Sequence, residues 1–239
     1  MIEDYINKVH CGNCLEIMKN IEDKSIDLVL TDPPYGINYL SPWTDNHSRL
    51  ENDGFDIWKS QLSLWLKEFN RVLTDTGCCC CCCGGGGGKT PVTALFTVEA
   101  IKHFSLIQTL VWKKFIGLGW KYRPAYENII VLSKNPDNYN FYDTSKKCSN
   151  VIEGINQDIP NSEEHPTQKP IELMKHLLRI HSKENDLILD PFLGSGTTAV
   201  ACIETGRKWI GIEISPEYTA IAQKRIDMAR NQGDLFIKK

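Results

Sequence analysis

Apolar residues along this chain fall into short runs and longer helical stripes, and the two kinds alternate. Leu15, Ile17, Met18 and Ile21 suggest a short helix from Cys14 to Ile21, and the run Ile26 to Leu30 is compact enough to be a buried strand. Trp58, Leu62, Trp65, Phe69, Val72 and Leu73 recur at helical spacing, so Asp56 to Leu73 reads as an amphipathic helix whose aromatic stripe faces a core. Cys78 to Cys83 then stands where the next buried strand belongs, since a thiol is small and apolar enough to fill one, and Gly84 to Gly88 make a very flexible loop. Leu95 to Phe104 reads as helix, Leu106 to Trp112 and Tyr126 to Ser133 as strands, and Lys134 to Glu164 as polar, irregular chain.

The last third is more regular. Pro170 stands in the first turn of a helix with Ile171, Met174, Leu177 and Leu178 on its inner face. Leu187, Ile188 and Leu189 form a strand ending at Asp190, a glycine loop opens the next helix, and Trp209 to Ile214 is the second strand of a βαβ unit. Ser215 and Pro216 cap and start a closing helix, with Tyr218, Ile221, Ala222 and Ile226 inward. The whole predicts an α/β chain.

Length and charge narrow this picture. The 239 residues predict one domain, 1–239, and a net charge of -3 with pI near 6.1 leaves any nucleic-acid partner to a local basic patch. No signal peptide and no run of about 18 apolar residues is seen, which predicts a cytoplasmic protein. Six of the ten cysteines are consecutive, a spacing no disulfide framework has, and Cys11 with Cys14 make one CxxC without a second ligand pair, so no metal is expected.

Three stretches carry candidate chemistry. After the first strand come Thr31, Asp32, Pro33, Pro34, Tyr35 and Gly36; the two prolines forbid further ladder pairing and stiffen the turn, pinning a carboxylate and an aromatic ring at a strand's carboxyl end. Such a corner can accept hydrogen bonds from a planar amine, though an ordinary strand exit has the same composition. Gly194, Gly196 and Ala199 satisfy G-x-G-x-x-[G/A], and Glu213 ends the following strand where an acid can bond ribose hydroxyls, a nucleoside-cofactor signal. Lys113, Lys114, Lys121 and Arg123 interleave with Phe115, Trp120 and Tyr122, which suits phosphates and unstacked bases as well as it suits a solvated loop. Gly84 to Thr90 mimics a phosphate loop, but Cys83 stands at its first required glycine and Pro91 opposes the helix that should follow.

Asp32-Pro33-Pro34-Tyr35, His165 to Pro170 (HPTQKP), Leu189 to Thr198 (LDPFLGSGTT) and Gly211-Ile212-Glu213, in this order, resemble the beta-class amino-methyltransferases of DNA. The resemblance implies a Rossmann-like fold, a mixed seven-stranded sheet with helices on both faces and a circularly permuted motif order. It further implies methyl transfer from S-adenosylmethionine to the exocyclic amine of a flipped base in double-stranded DNA, with adenine N6 favoured by Asp32 over cytosine N4. Asp32, Pro33, Pro34 and Tyr35 would be catalytic. Phe192, Gly194, Gly196, Thr197 and Glu213 would contact the cofactor, Asp190 would brace its loop, and Thr167 and Lys169 would lie near its methionine end. Residues 113–164 would read the target, with Lys113, Lys114, Lys121 and Arg123 on DNA, and a homodimer stays open. Asn13 stands where many relatives carry Asp, and the Cys and Gly block replaces an ordinary apolar strand. A nicotinamide oxidoreductase would share the glycine loop but leave the other three stretches unexplained.

Overall fold

Eight extended runs pair into one sheet. They are β1 (Lys8–Cys11), β2 (Ile26–Thr31), β3 (Leu73–Cys82), β4 (Ser105–Lys113), β5 (Tyr126–Ser133), β6 (Val151–Ile152), β7 (Leu187–Asp190) and β8 (Lys208–Glu213), and the order across the sheet is β1-β8-β7-β2-β3-β5-β4-β6. Every neighbouring pair is parallel except the two that involve β5, so β5 alone is reversed. This computed structural model describes residues 1–35, 55–84, 91–115, 123, 125–156 and 168–237. Beyond the expected seven strands, the two-residue β6 adds an edge ladder to β4. Neither it nor β1 has the apolar run that marks the buried strands.

Helices cover both faces. Three of them, α1 (Cys14–Met18), α2 (Phe55–Val72) and α3 (Val92–Ala100), share one apolar cluster; α4 (Ile171–His181), α5 (Thr197–Glu204) and α6 (Pro216–Ile237) share the other. The aromatic stripe of α2 is core, with Trp58, Trp65 and Phe69 buried. Alternation along β3 divides its thiols: Cys79, Cys81 and Cys83 enter the α2 cluster, Cys78, Cys80 and Cys82 the α4 cluster, and all six are buried. The strand expected at the cysteine run therefore forms, and it begins earlier, at Leu73, directly on the end of α2.

From β2 the chain crosses through α2 to β3, while from β7 it crosses through α5 to β8 in the opposite direction. Adjacent β2 and β7 thus flank the point where winding reverses, and ligands of open α/β sheets settle at the carboxyl ends of such strands.

Candidate active site

The carboxyl ends of β2 and β7 are tied to each other. Thr31 Oγ1, on the last residue of β2, donates to Asp190 Oδ1, on the last residue of β7, at 2.6 Å. Asp32, Pro33, Pro34 and Tyr35 follow at once, so the acidic corner stands beside the glycine loop although 159 positions separate the two bonded residues.

Asp32 carries a donor on each oxygen. The Tyr35 hydroxyl donates to Oδ1, and Lys169 Nζ donates to Oδ2 at 2.6 Å. The same ammonium lies 3.2 Å from the Tyr35 hydroxyl and 5.6 Å from its ring centroid. Glu127, near the start of β5, brings Oε2 to 3.3 Å from Lys169 Nζ, while Lys114 Nζ, beyond the end of β4, binds its Oε1 at 2.5 Å. Four elements distant in sequence therefore meet in one cluster of two acids and two lysines.

Removal from water raises the Asp32 carboxyl above its ordinary value, and the Lys169 ammonium pulls it part of the way back. Desolvation also works against the charge on Glu127, but Lys169 and Lys114 outweigh it and the carboxyl lies below the usual range. Burial opposes the charge on Lys169 as well; Asp32, Tyr35 and Glu127 overcome it and hold the ammonium firmly protonated. The tyrosine is pushed well up by burial and by Asp32, so it serves as a donor. With its side chain only 8 % exposed, Lys169 holds its charge through these neighbours and not through water.

The glycine loop is held mainly by its own backbone. Gly194 N donates to Glu213 Oε2 at 2.8 Å, Ser215 N to Glu213 Oε1 at 2.9 Å, and Phe192 N to Asp190 Oδ1 at 3.1 Å. Burial drives the Asp190 carboxyl up to about 6, moderated by the Thr198 and Thr31 hydroxyls and by the Phe192 amide. Gly196 caps α5 at φ +89, and a Cβ there would meet the Ala222 Cβ of α6 at 3.1 Å, so both conformation and space demand glycine. Two residues not singled out by sequence complete the loop. Arg225 donates to Ser195 O and Oγ at 2.7 and 2.8 Å, and Ser195 Oγ donates to Gln168 Oε1 at 3.1 Å, clamping the loop between α6 and the residues before α4.

Other expected site residues are placed as follows. Lys169, expected near the methionine end of a cofactor, puts its ammonium on Asp32. Phe192 packs its ring against Trp65 and Phe69, with centroids 4.9 and 6.4 Å apart. Thr197 is buried at the first turn of α5 and accepts from Arg225 at 3.4 Å. Asn13 caps α1 by accepting from Leu15 N at 2.9 Å. Lys113 is paired with Glu153 at 2.8 Å, Lys114 turns inward to Glu127, and Arg123 is exposed. Thr167, Lys121, Gly36, the loop Ser41 to Gly54 and Gly85 to Thr90 lie outside the described residues. Glu127 was not anticipated; its signal is a lone acid opening an otherwise apolar strand, Ile129 to Leu132.

The donor set fits a positively charged nucleoside beside an amine. Glu213, at the end of β8, offers a carboxylate suited to a pair of hydroxyls, while Asp32 and Asp190 supply negative charge nearby. Among the described residues no cluster of three His, Cys, Asp or Glu could hold a metal, and no helix is long and apolar enough to cross a membrane.

Comparison with known proteins gives a consistent picture. The family model described as DNA methylase matches residues 26–224. The chain is similar to the type II methyltransferase M.HpaI of Haemophilus parainfluenzae, 29 % identical over 94 % of this chain and 75 % of that protein. It is also similar to the DNA adenine methyltransferase YhdJ of Escherichia coli strain K12, 30 % identical over 91 % of this chain and 82 % of that protein. A solved DNA modification methylase from Thermus thermophilus, in complex with S-adenosyl-L-methionine, shares the fold with a TM-score of 0.71, at 23 % identity over 93 % of this chain and 95 % of that one.

Proposed function

Because this chain belongs to the family of DNA methylases, we propose that it methylates the exocyclic N6 of an adenine flipped out of double-stranded DNA, taking the methyl group from S-adenosylmethionine. The observation that carries the reading is the hydrogen bond between Thr31 and Asp190, which sets the amine-accepting corner and the nucleoside loop side by side. When bound, the cofactor supplies a sulfonium methyl that an amine can take directly. The protein's task is then positioning, which for reactants held in line is worth orders of magnitude in rate.

In this reading Asp32 Oδ and the Pro33 carbonyl accept the two amine hydrogens and aim the nitrogen lone pair. Tyr35, braced by Asp32, covers the base. Glu213 binds the ribose hydroxyls, Asp190 holds the Phe192 amide, and Gly194 and Gly196 shape the loop. Lys169 serves the corner more directly than the cofactor, and Thr167 and Thr197 are assigned to the cofactor by family resemblance. Flipping the base costs a few kcal/mol of stacking. Target reading falls to the parts of residues 113–164 outside β5, which is a central strand, and Lys113, Lys121 and Arg123 are the cations offered to phosphates. The carboxylate at position 32 supports adenine over cytosine.

The reading places a single domain of 239 residues in the cytoplasm with its DNA. It also includes self-association, supported by Leu95, Val98 and Ile101 on and just after α3 and Ile57 and Leu64 on α2, all of which point outward.

Incubation with tritiated S-adenosylmethionine and DNA, followed by digestion to nucleosides, tests the assignment. Label in N6-methyladenosine is expected; label in N4-methylcytidine would transfer the target to cytosine, and no label in DNA would sink the proposal.

A further inference from the structure

The cluster around Lys169 raises a problem that the methylation reading must meet. Both oxygens of Asp32 are engaged, Oδ1 by Tyr35 and Oδ2 by the ammonium at 2.6 Å. As the new carbon–nitrogen bond forms, the target nitrogen gains positive charge, and a lysine seated on its accepting carboxylate opposes that charge. Lys169 must move aside, yet its side chain is almost fully enclosed and a bare ammonium cannot be left without a partner. One acceptor is within reach. Glu127 Oε2 is buried, has no hydrogen-bond partner and lies 3.3 Å from Lys169 Nζ. Its other oxygen is anchored by Lys114 on a strand in the middle of the sheet, so the carboxylate is fixed in place and half satisfied.

We propose that Glu127 is a positioning residue that receives Lys169 when the target amine takes its place on Asp32. The shift returns the full negative charge of Asp32 to the amine during transfer, and it gives Oε2 the partner it lacks. Glu127 itself touches neither the base nor the reacting carbon. The inference rests on the methyltransferase reading above and adds to it a residue that acts only in the step.

Single-turnover methyl transfer, at saturating DNA and cofactor, tests it with three variants. Glu127→Gln keeps the shape and loses the charge; its rate is expected to fall by about tenfold or more while affinities for S-adenosylhomocysteine and DNA stay within about twofold. Glu127→Asp, which keeps a carboxylate, is expected to outrun Glu127→Asn of the same length. In a Lys169→Met background, Glu127→Gln is expected to cause no further slowing, because the group it receives is gone. A Glu127→Gln rate within about twofold of wild type, a loss confined to KM, equal rates for the Asp and Asn variants, or the same slowing with and without Lys169 would each overturn the proposal while leaving methylation intact. A wild-type chain that puts no methyl on DNA would instead remove the reading beneath it.

Discussion

The two halves of the site are built differently. In the cofactor half, Glu213 is met by backbone amides 19 and 2 positions away, and Asp190 by one 2 positions away. In the amine half, Lys169 reaches Asp32 across 137 positions, and Glu127 arrives on a strand from a different part of the chain. Backbone amides and a short loop make the first half rigid by local geometry alone. The second is held by charges on long side chains, so it is the half that can rearrange.

This difference decides which substitutions do most damage. Asp32→Ala attacks the side-chain half at its centre and should cut methyl transfer by about a thousandfold or more. Affinity for S-adenosylhomocysteine, measured by calorimetry, should hardly change, because the backbone half is untouched. A parallel loss of cofactor affinity would mean that the halves are not separable.

The next effect in size comes from acid titration of the other half. Asp190 binds its proton more tightly when folded, with a value of about 6 against 3.8 for the ordinary side chain. A carboxyl raised in this way favours the fold below pH 3.8, and that contribution is lost as pH rises through about 6. Compared with Asp190→Asn, the wild type should therefore lose about 3 kcal/mol of unfolding free energy across this window, read by urea melts at several pH values. Parallel pH profiles for the two proteins would show that Asp190 titrates normally.

Smaller again is Glu213→Gln. The amides of Gly194 and Ser215 keep an oxygen to bond, so the loop should survive while cofactor affinity drops by about tenfold, close to 1.4 kcal/mol. Its rate at saturating cofactor should stay within about twofold, the reverse of the Asp32→Ala pattern. The smallest effect is expected outside both halves. Lys113 is exposed and already paired with Glu153, so Lys113→Ala should lower DNA affinity by less than about twofold and change the salt slope by less than about one.

The same contrast explains what could be read without coordinates. The glycine loop, Asp190 and Glu213 form a contiguous βαβ unit whose spacing states its purpose, and the double proline after β2 marks the acidic corner. Helices α2 and α4 announce themselves through stripes such as Trp58, Trp65 and Phe69. Glu127 and the pairing of Lys169 with Asp32 stayed hidden because nothing local ties position 127 or 169 to position 32; only the reversed strand β5 and the approach to α4 bring them together. The clamp of Arg225 on Ser195 was hidden for the same reason, since its residues lie 30 positions apart on different elements. Strand β1, with four half-covered residues, has no run long enough to be seen.

The thiols of β3 offer something further. Cys78 to Cys83 are sealed from water, and burial pushes the Cys78 thiol up to about 12, so none can meet an alkylating reagent until the sheet around it parts, whereas Cys11 and Cys148 are open from the start. Because successive cysteines face opposite helical layers, mass spectrometry of the order in which odd and even positions become modified would time which layer peels away first. The strand that reads as the least informative stretch of the chain is thereby a clock for its unfolding.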